Sequence, residues 1–431
     1  MAAKPSSTAI APTKLQTPKQ TAIEEILAYP IFLSDQIAAA VDDSHSFNSQ
    51  CYKLGNQVDC LRQMLCSAAR LASSSTPFYD RPLRRIAAKV SLNLEKSLTL
   101  ARKCRPRSVL CRLFAIVSTA DFDKLFRLLD SSIADMKWVL SIYDANNGGI
   151  PPIAINHPIL SWVWSFIASL HTGQLQDKIE AAGKLLSLAK DNDRNKQIIV
   201  EEGGVLPLLK LLKVNSSPDG QFAASSTLFH LSNSEERVQA IIDDLGIPII
   251  VQTLNNSSMK VQIGVSNLVA KMAEHCPLAK EDFVRKNVLR PLVTLLSFDL
   301  FMDDPGFASS SLSNKGSRGG YKKDQEHEKP EIKPELKISC AKALWMLAKG
   351  SVQNSRRITE TKGLLCLAKL VEFESGELQR NCLMTIMEIT AAAESNADLR
   401  RATFKSNSPA SKAVVNQLLR VIKDSVLELC P

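Results

Sequence analysis

Long apolar runs are missing from this 431-residue chain. The most apolar stretch, Pro158 to Leu170, is too short to cross a bilayer and is broken by Ser161, Ser165 and Ser169. The N-terminus stays polar to about residue 20 and has no apolar core of signal-peptide length. Ten cysteines occur without a Cys-x-x-Cys pair; the closest spacings are Cys51/Cys60/Cys66 and Cys104/Cys111. Many fall on apolar helical positions, where a thiol packs as a small hydrophobe. That usage argues against a disulfide framework or zinc site and fits a reducing compartment. The expectation is a soluble intracellular protein, cytoplasmic, with the plasma-membrane periphery and the nucleus open to it.

Catalytic signatures are equally scarce. No Gly-rich phosphate loop, Gly-x-Ser-x-Gly elbow or His-Glu-x-x-His pair occurs. The histidines, at 45, 157, 171, 230, 275 and 327, are dispersed. Only His275 has a cysteine within three residues, and Cys276 is too close to it for a shared ligand face. Gly203-Gly204 reads as a tight turn between helices rather than a phosphate cradle. The chain is expected to be no enzyme and to hold no cofactor or metal.

Helical pattern is what the chain has in quantity. Apolar residues make up 45% and charged residues 23%, the balance of an ordinary globular protein. Residues 1–19, rich in Pro, Ser, Thr and Lys, read as a disordered arm. Four helical stripes follow. Cys51, Leu54, Val58, Leu61, Leu65 and Ala68 alternate spacings of three and four after Phe47, and Phe122, Phe126, Leu129, Ile133, Met136 and Leu140 repeat the rhythm. Such a seam faces a partner helix at a shallow angle. A third stripe is Leu83, Ala87, Val90, Leu94, Leu98 and Ala101, starting after Asp80 as N-cap with Pro82 in the first turn. The first stripe contains Pro30, where a kink or break is expected. Together they predict an antiparallel four-helix bundle over 20–142. Asn146-Asn-Gly-Gly-Ile-Pro-Pro152 then marks a linker over 143–157.

Beyond the linker one phrase recurs. It reads Leu206-Pro-Leu-Leu-Lys-Leu-Leu212, Ile247-Pro-Ile-Ile-Val-Gln-Thr-Leu254, Pro291-Leu-Val-Thr-Leu-Leu296 and Cys366-Leu-Ala-Lys-Leu-Val371. Along the column of Pro207, Pro248, Pro291 and Cys366 the intervals are 41, 43 and 75 residues. The last becomes 43 when about 32 residues of a polar insertion at 300–334 are removed. A helical period in the low forties is the mark of an armadillo-type solenoid. The fold class is therefore all-α: the bundle, then a right-handed armadillo superhelix over 158–431. Its five repeats fall near 173–216, 217–256, 257–299, 333–374 and 375–431, each pairing a middle helix such as Ile179–Ala189 with a longer one such as Val205–Leu212. The aromatic helix 157–170 is expected to cap the first repeat.

Two surfaces stand out as binding candidates. Of the net charge of +9, residues 1–142 carry +7, and 81–112 hold ten basic residues against Glu95 alone. Arg81, Arg84, Arg85, Lys89, Arg102, Lys103, Arg105 and Arg107 are candidates for peripheral membrane contact through anionic lipid. No aromatics interleave with them for base stacking, so no nucleic acid is expected. The second surface is the concave groove of the solenoid. Nuclear-import armadillo proteins carry a Trp and an Asn four residues apart along it. Here Gly183, Ser226, Asn267 and Lys342 fill the Trp column, and Ser187, His230, Lys271 and Met346 the Asn column, with Trp345 out of register. Lys184, Lys271, Lys342 and His230, with Lys190 and Lys349 beside them, make the candidate protein-binding groove, suited to extended acidic peptides.

Tyr79-Asp-Arg-Pro-Leu-Arg-Arg-Ile86, Pro151-Pro-Ile-Ala-Ile-Asn-His-Pro-Ile159 and Leu188-Ala-Lys-Asp-Asn-Asp-Arg194 running through Ile198 to Leu212 carry a closer likeness. From about residue 20 to 380 the chain resembles the plant armadillo-repeat-only family. Its first helices are also similar to the bundle preceding the U-box in plant U-box ligases. Residues 143–157 leave no room for a U-box, so ligase activity is not implied. The resemblance implies a non-enzymatic scaffold in polarised plant cell growth, tied to Rho-type small GTPases, their regulators and the cytoskeleton. An accessory subunit in ubiquitin ligation and a nuclear-transport adaptor are the alternatives. Family members look longer, and the fifth repeat here is irregular around Ser406-Asn-Ser-Pro-Ala.

Overall fold

The computed structural model describes residues 22–44, 46–73, 79–104, 117–142, 158–213, 217–297, 332–405 and 408–429. Every regular element among them is a helix. The chain divides into two compact units, Met1–His157 and Pro158–Pro431. The predicted arm 1–19 and linker 143–157 lie outside the described residues.

The first unit contains α1 (Ile23–Asp42), α2 (Asn48–Ala72), α3 (Arg81–Lys103) and α4 (Thr119–Ser141). The α2 and α3 stripes are buried along their length. In α4 the buried stripe leaves Ile133 and Leu140 half-buried and takes in Asp135, Trp138 and Val139 instead. Helix α1 packs on α2 and α3, and α4 packs on the same two. Side-chain pairs fix the directions. Arg62 with Asp35 (2.6 Å) and Ser73 with Glu24 (3.0 Å) set α1 antiparallel to α2. Lys89 with Asp135 (3.0 Å) and Asn93 with Ser132 (3.0 Å) set α3 antiparallel to α4. Lys53 over the Phe126 ring and Gln57 with Asp130 run α2 parallel to α4, so α1 and α3 are parallel too. This departs from the expected antiparallel packing: α2 and α3, consecutive in sequence, lie across the diagonal and barely touch. Stripes specify the buried face of a helix but not which neighbour covers it.

Two local expectations also change. Helix α1 runs unbroken through Pro30, which is buried, and the Ser34 hydroxyl donates to its carbonyl at 2.9 Å. The one lost backbone bond is outweighed by the packed Leu27, Leu33 and Ile37. Asp80 occupies the N-cap position of α3 without capping it and accepts from Arg84 Nε at 2.8 Å. A capping box appears instead at α4, between Ser118 and Asp121.

The second unit opens with α5 (Pro158–Thr172) and α6 (Leu175–Asp191). Then come α7 (Asp193–Glu201), α8 (Val205–Leu212) and α9 (Pro218–Leu231), followed by α10 (Glu235–Asp243), α11 (Gly246–Asn256) and α12 (Met259–His275). Next are α13 (Pro277–Arg285), α14 (Leu289–Leu296) and α15 (Ile332–Ala348), then α16 (Val352–Glu360), α17 (Gly363–Phe373) and α18 (Gly376–Ser395). Helices α19 (Ala397–Thr403) and α20 (Pro409–Leu429) complete the described part. Each period thus holds three helices, not the two expected. The lengths were also inverted: Val205–Leu212 has 8 residues, while the helix containing Ile179–Ala189 has 17.

The recurring phrase is the second helix of each period. Pro207, Pro248 and Pro291 stand third in α8, α11 and α14, where a backbone N–H has no intrahelical acceptor to lose. The turn into that helix is the same each time. Gly203, Leu245, Asn287 and Lys362 adopt φ of 81°, 59°, 60° and 62°. In three of the four turns the following residue is a glycine, Gly204, Gly246 or Gly363, where a Cβ would meet Ile199, Ile241 or Ile358 at 2.6–2.9 Å; after Asn287 it is Val288. Those glycines let the first helix end against the start of the second. Gly203-Gly204 is therefore a turn.

Third helices form the spine: α6, α9, α12, α15 and α18 each pack on the next. Buried amides close the helix ends between them. Gln221, Gln262 and Gln379 donate to the last carbonyls of α8, α11 and α17, at Leu212 (3.3 Å), Leu254 (3.0 Å) and Val371 (3.1 Å). Asn195 and Asn354 do the same for Leu188 (3.0 Å) and Leu347 (2.8 Å). The spine runs from α12 to α15 without a break, although 34 residues separate Ser297 from Ile332. Helix α15 takes in the last residues of the predicted insertion, and the remainder of it lies outside the described residues. At the start, α5 buries Val163, Trp164, Ile167 and Leu170, and Trp164 Nε1 donates to Glu202 Oε2 at 2.8 Å. Trp162 stays exposed, so α5 is not covered all round.

The eight described cysteines are free. Burial pushes the Cys340 and Cys366 thiols up to about 12 and the Cys382 thiol higher still. These are packing residues.

Candidate interaction surfaces

The outward face of the third helices is where the predicted groove residues fall. Lys184 and Lys190 on α6, His230 on α9, Lys271 on α12, Lys342 on α15 and Lys349 just past its end all keep contact with solvent. Neighbouring acids temper part of that charge. Lys184 Nζ lies 3.9 Å from Glu180 and Lys271 Nζ lies 3.1 Å from Glu274. Burial works against ionisation of Glu274, yet the Lys271 hydrogen bond and the charges of Lys271, His275 and Lys342 hold its carboxyl below the ordinary value. One acid therefore sits between lysines of adjacent helices. Burial, with Lys190 and Lys196 nearby, lowers the His230 imidazole from its usual value, and His275 is lowered by burial and Lys271. Both histidines favour the neutral form.

One column assignment is corrected. Met346, placed in the groove by sequence, is 7% exposed and belongs to the core. Trp345 takes the open face with Lys342 and Lys349, in line with buried Leu336, Cys340, Leu344 and Leu347 on the opposite side. Phasing the helix on those four would have found it. Between α15 and α18, Lys342, Trp345, Gly376, Glu377, Arg380 and Asn381 line a cleft of about 490 Å³. Arg380 and Asn381 were missed in sequence because an isolated Asn in a helical stripe carries no recognisable spacing.

The basic surface of α3 is thinner than its composition. Lys89 is a packing residue: it reaches Asp135 (3.0 Å) and Ser131 (3.1 Å) on α4. Arg84 is paired with Asp80 at 2.8 Å. Glu95, the one acid within 81–112, is engaged by the Tyr29 hydroxyl at 2.8 Å. Arg81, Arg85, Arg102 and Lys103 remain exposed. Arg105 and Arg107 lie outside the described residues.

Among the described residues no group of three or more His, Cys, Asp or Glu is placed to hold a metal ion. No described helix is long and apolar enough to cross a membrane.

Comparison with known proteins agrees with the repeat geometry. Residues 192–233, spanning α7 to α9, match the armadillo/beta-catenin-like repeat, so an armadillo repeat is present. Residues 24–144 match a domain of unknown function, DUF7792. No curated protein matches the chain. Solved structures similar to it include a designed armadillo repeat protein at 20% identity, covering 59% of this chain and 97% of that one with a TM-score of 0.42. Another, a designed armadillo repeat protein in complex with the peptide (KR)4, is 18% identical and covers 59% of this chain and 93% of its own, with a TM-score of 0.43. An engineered protein at 16% identity covers 86% of this chain and 99% of its own, also with a TM-score of 0.43.

Proposed function

We propose that the chain is a non-enzymatic protein-interaction scaffold whose third-helix face holds extended acidic segments of a partner protein. The observation that carries this reading is the set of lysines that three of the third helices turn to solvent, Lys190 on α6, Lys271 on α12 and Lys342 on α15, with Lys349 just past the end of α15, in a unit that contains an armadillo repeat. Long lysine stems give such a face both apolar contact and long-range attraction. The first unit, read as a four-helix bundle, adds a second surface. Its exposed Arg81, Arg85, Arg102 and Lys103 suit an anionic membrane surface. Resemblance to the plant armadillo-repeat-only family extends the reading to Rho-type GTPase signalling and cytoskeletal organisation in polarised growth.

Fluorescence anisotropy with a labelled oligoglutamate peptide tests the central claim. Reversing charge at Lys271→Glu and Lys342→Glu should weaken binding by about tenfold or more at low salt. Equal affinity in the double variant would remove the acidic-partner reading. Nucleotide-dependent binding of a Rho-type GTPase to the full chain tests the extension.

A further inference from the structure

The cleft between α15 and α18 has features that the general face lacks. Two of its lining residues each carry a buried side-chain nitrogen with no hydrogen-bond acceptor among the described residues: Trp345 Nε1 and Asn381 Nδ2. Asn381 is 3% exposed. Leaving such donors unpaired is costly, about 1–3 kcal/mol each, and native interiors seldom do so without a reason. The rim adds Lys342 from one helix and Arg380 from the next, both exposed. No ion pair forms at either cation among the described residues. Gly376 and Glu377, also at the cleft, begin α18, and the side chain of its N-cap, Ser375, makes no capping bond.

We propose that this cleft is a seat for one carboxylate of an acidic peptide segment, an Asp or Glu side chain of the partner. Lys342 and Arg380 would flank the carboxylate, Trp345 would lay an apolar wall along the methylene stem, and the unpaired N–H groups would supply donors. The local charge selects the anion. Lys342 and Arg380 against the Glu377 carboxylate, with the nearby Lys271–Glu274 pair cancelling itself, leave a single net positive charge, which suits a monoanion better than a phosphate dianion. The inference rests on the acidic-partner reading above and gives it an address.

The same anisotropy assay on the full chain tests it, with oligoglutamate, oligoglutamine and phosphoserine peptides as probes. Trp345→Phe keeps the aromatic wall and removes the N–H; Asn381→Leu keeps the volume and removes the amide. Each should weaken oligoglutamate binding by about tenfold, the scale of one charge-assisted hydrogen bond. Thermal melting checks that the variants fold. Should either fail, the exposed Lys342→Gln and Arg380→Gln variants carry the test with the same expected loss. Wild-type affinity in all soluble variants, with oligoglutamate still bound, overturns the seat and leaves the scaffold reading intact. No preference of the wild type for oligoglutamate over oligoglutamine overturns both. Tighter binding of the phosphoserine peptide overturns the assignment to a carboxylate.

Discussion

In the first unit Asp135 is fully buried and meets Lys89 from the facing helix. In the second unit Gln221, Gln262 and Gln379 make the same kind of bond to the end of the preceding helix in three of the periods. The first unit gathers its buried cross-helix polarity between α3 and α4, where Asn93 also meets Ser132, while the second distributes its caps along the chain. The difference bears on how each fails. A localised cluster weakens as a whole when one member is lost, whereas a repeated cap fails only where it is removed.

The sharpest way to break this contrast is at Lys89. Lys89→Met removes the Lys89 cation from the buried Asp135 carboxylate and should destabilise the first unit by about 3–5 kcal/mol. Urea unfolding of the full chain should show the loss in that unit's transition alone; an unchanged midpoint would place the pair among the dispensable ones. A smaller effect is expected at Gly246→Ala. The added methyl would stand 2.6 Å from the Ile241 carbonyl oxygen, and the turn must shift at a cost of about 1–3 kcal/mol. Gly183→Ala, in open space on α6, is the control and should not destabilise. If both alanines behave alike in thermal melts, the repeated turn is not constrained as described.

The mildest test uses pH. Hydrogen bonds from Asn233 and Lys196, together with Arg237, hold the Asp193 carboxyl down at about 2, below its ordinary 3.8. A carboxylate with a lowered folded value contributes fully above the unfolded value and loses that contribution as pH falls towards 2. Asp193→Asn should therefore flatten the decline of the second unit's melting temperature between pH 4 and pH 2. Identical slopes in wild type and variant would mean the network adds nothing.

Stripes such as Leu83 to Ala101 and the Pro207–Pro248–Pro291 column were legible because apolar periodicity and helix-start chemistry are local signals. Asp135 was not, since a carboxylate inside a stripe reads as a flaw until Lys89, 46 residues away, is seen beside it. The parallel pairing of α1 with α3 was hidden for a related reason: nothing in one helix encodes which neighbour it meets. At the candidate site Lys342 was readable as a cation at helical spacing. Trp345 was lost to a one-residue slip that put Met346 on the open face. Asn381 could be recognised only by what it lacks, a partner.

Helices α12 and α15 are joined by their packed faces as well as by the chain between Ser297 and Ile332. Cohesion across that point thus belongs to surfaces rather than to the backbone. A protease cut there would yield two fragments that stay associated, and the halves expressed separately should complement one another. The third period is accordingly a place where the polypeptide can be opened while the spine remains whole.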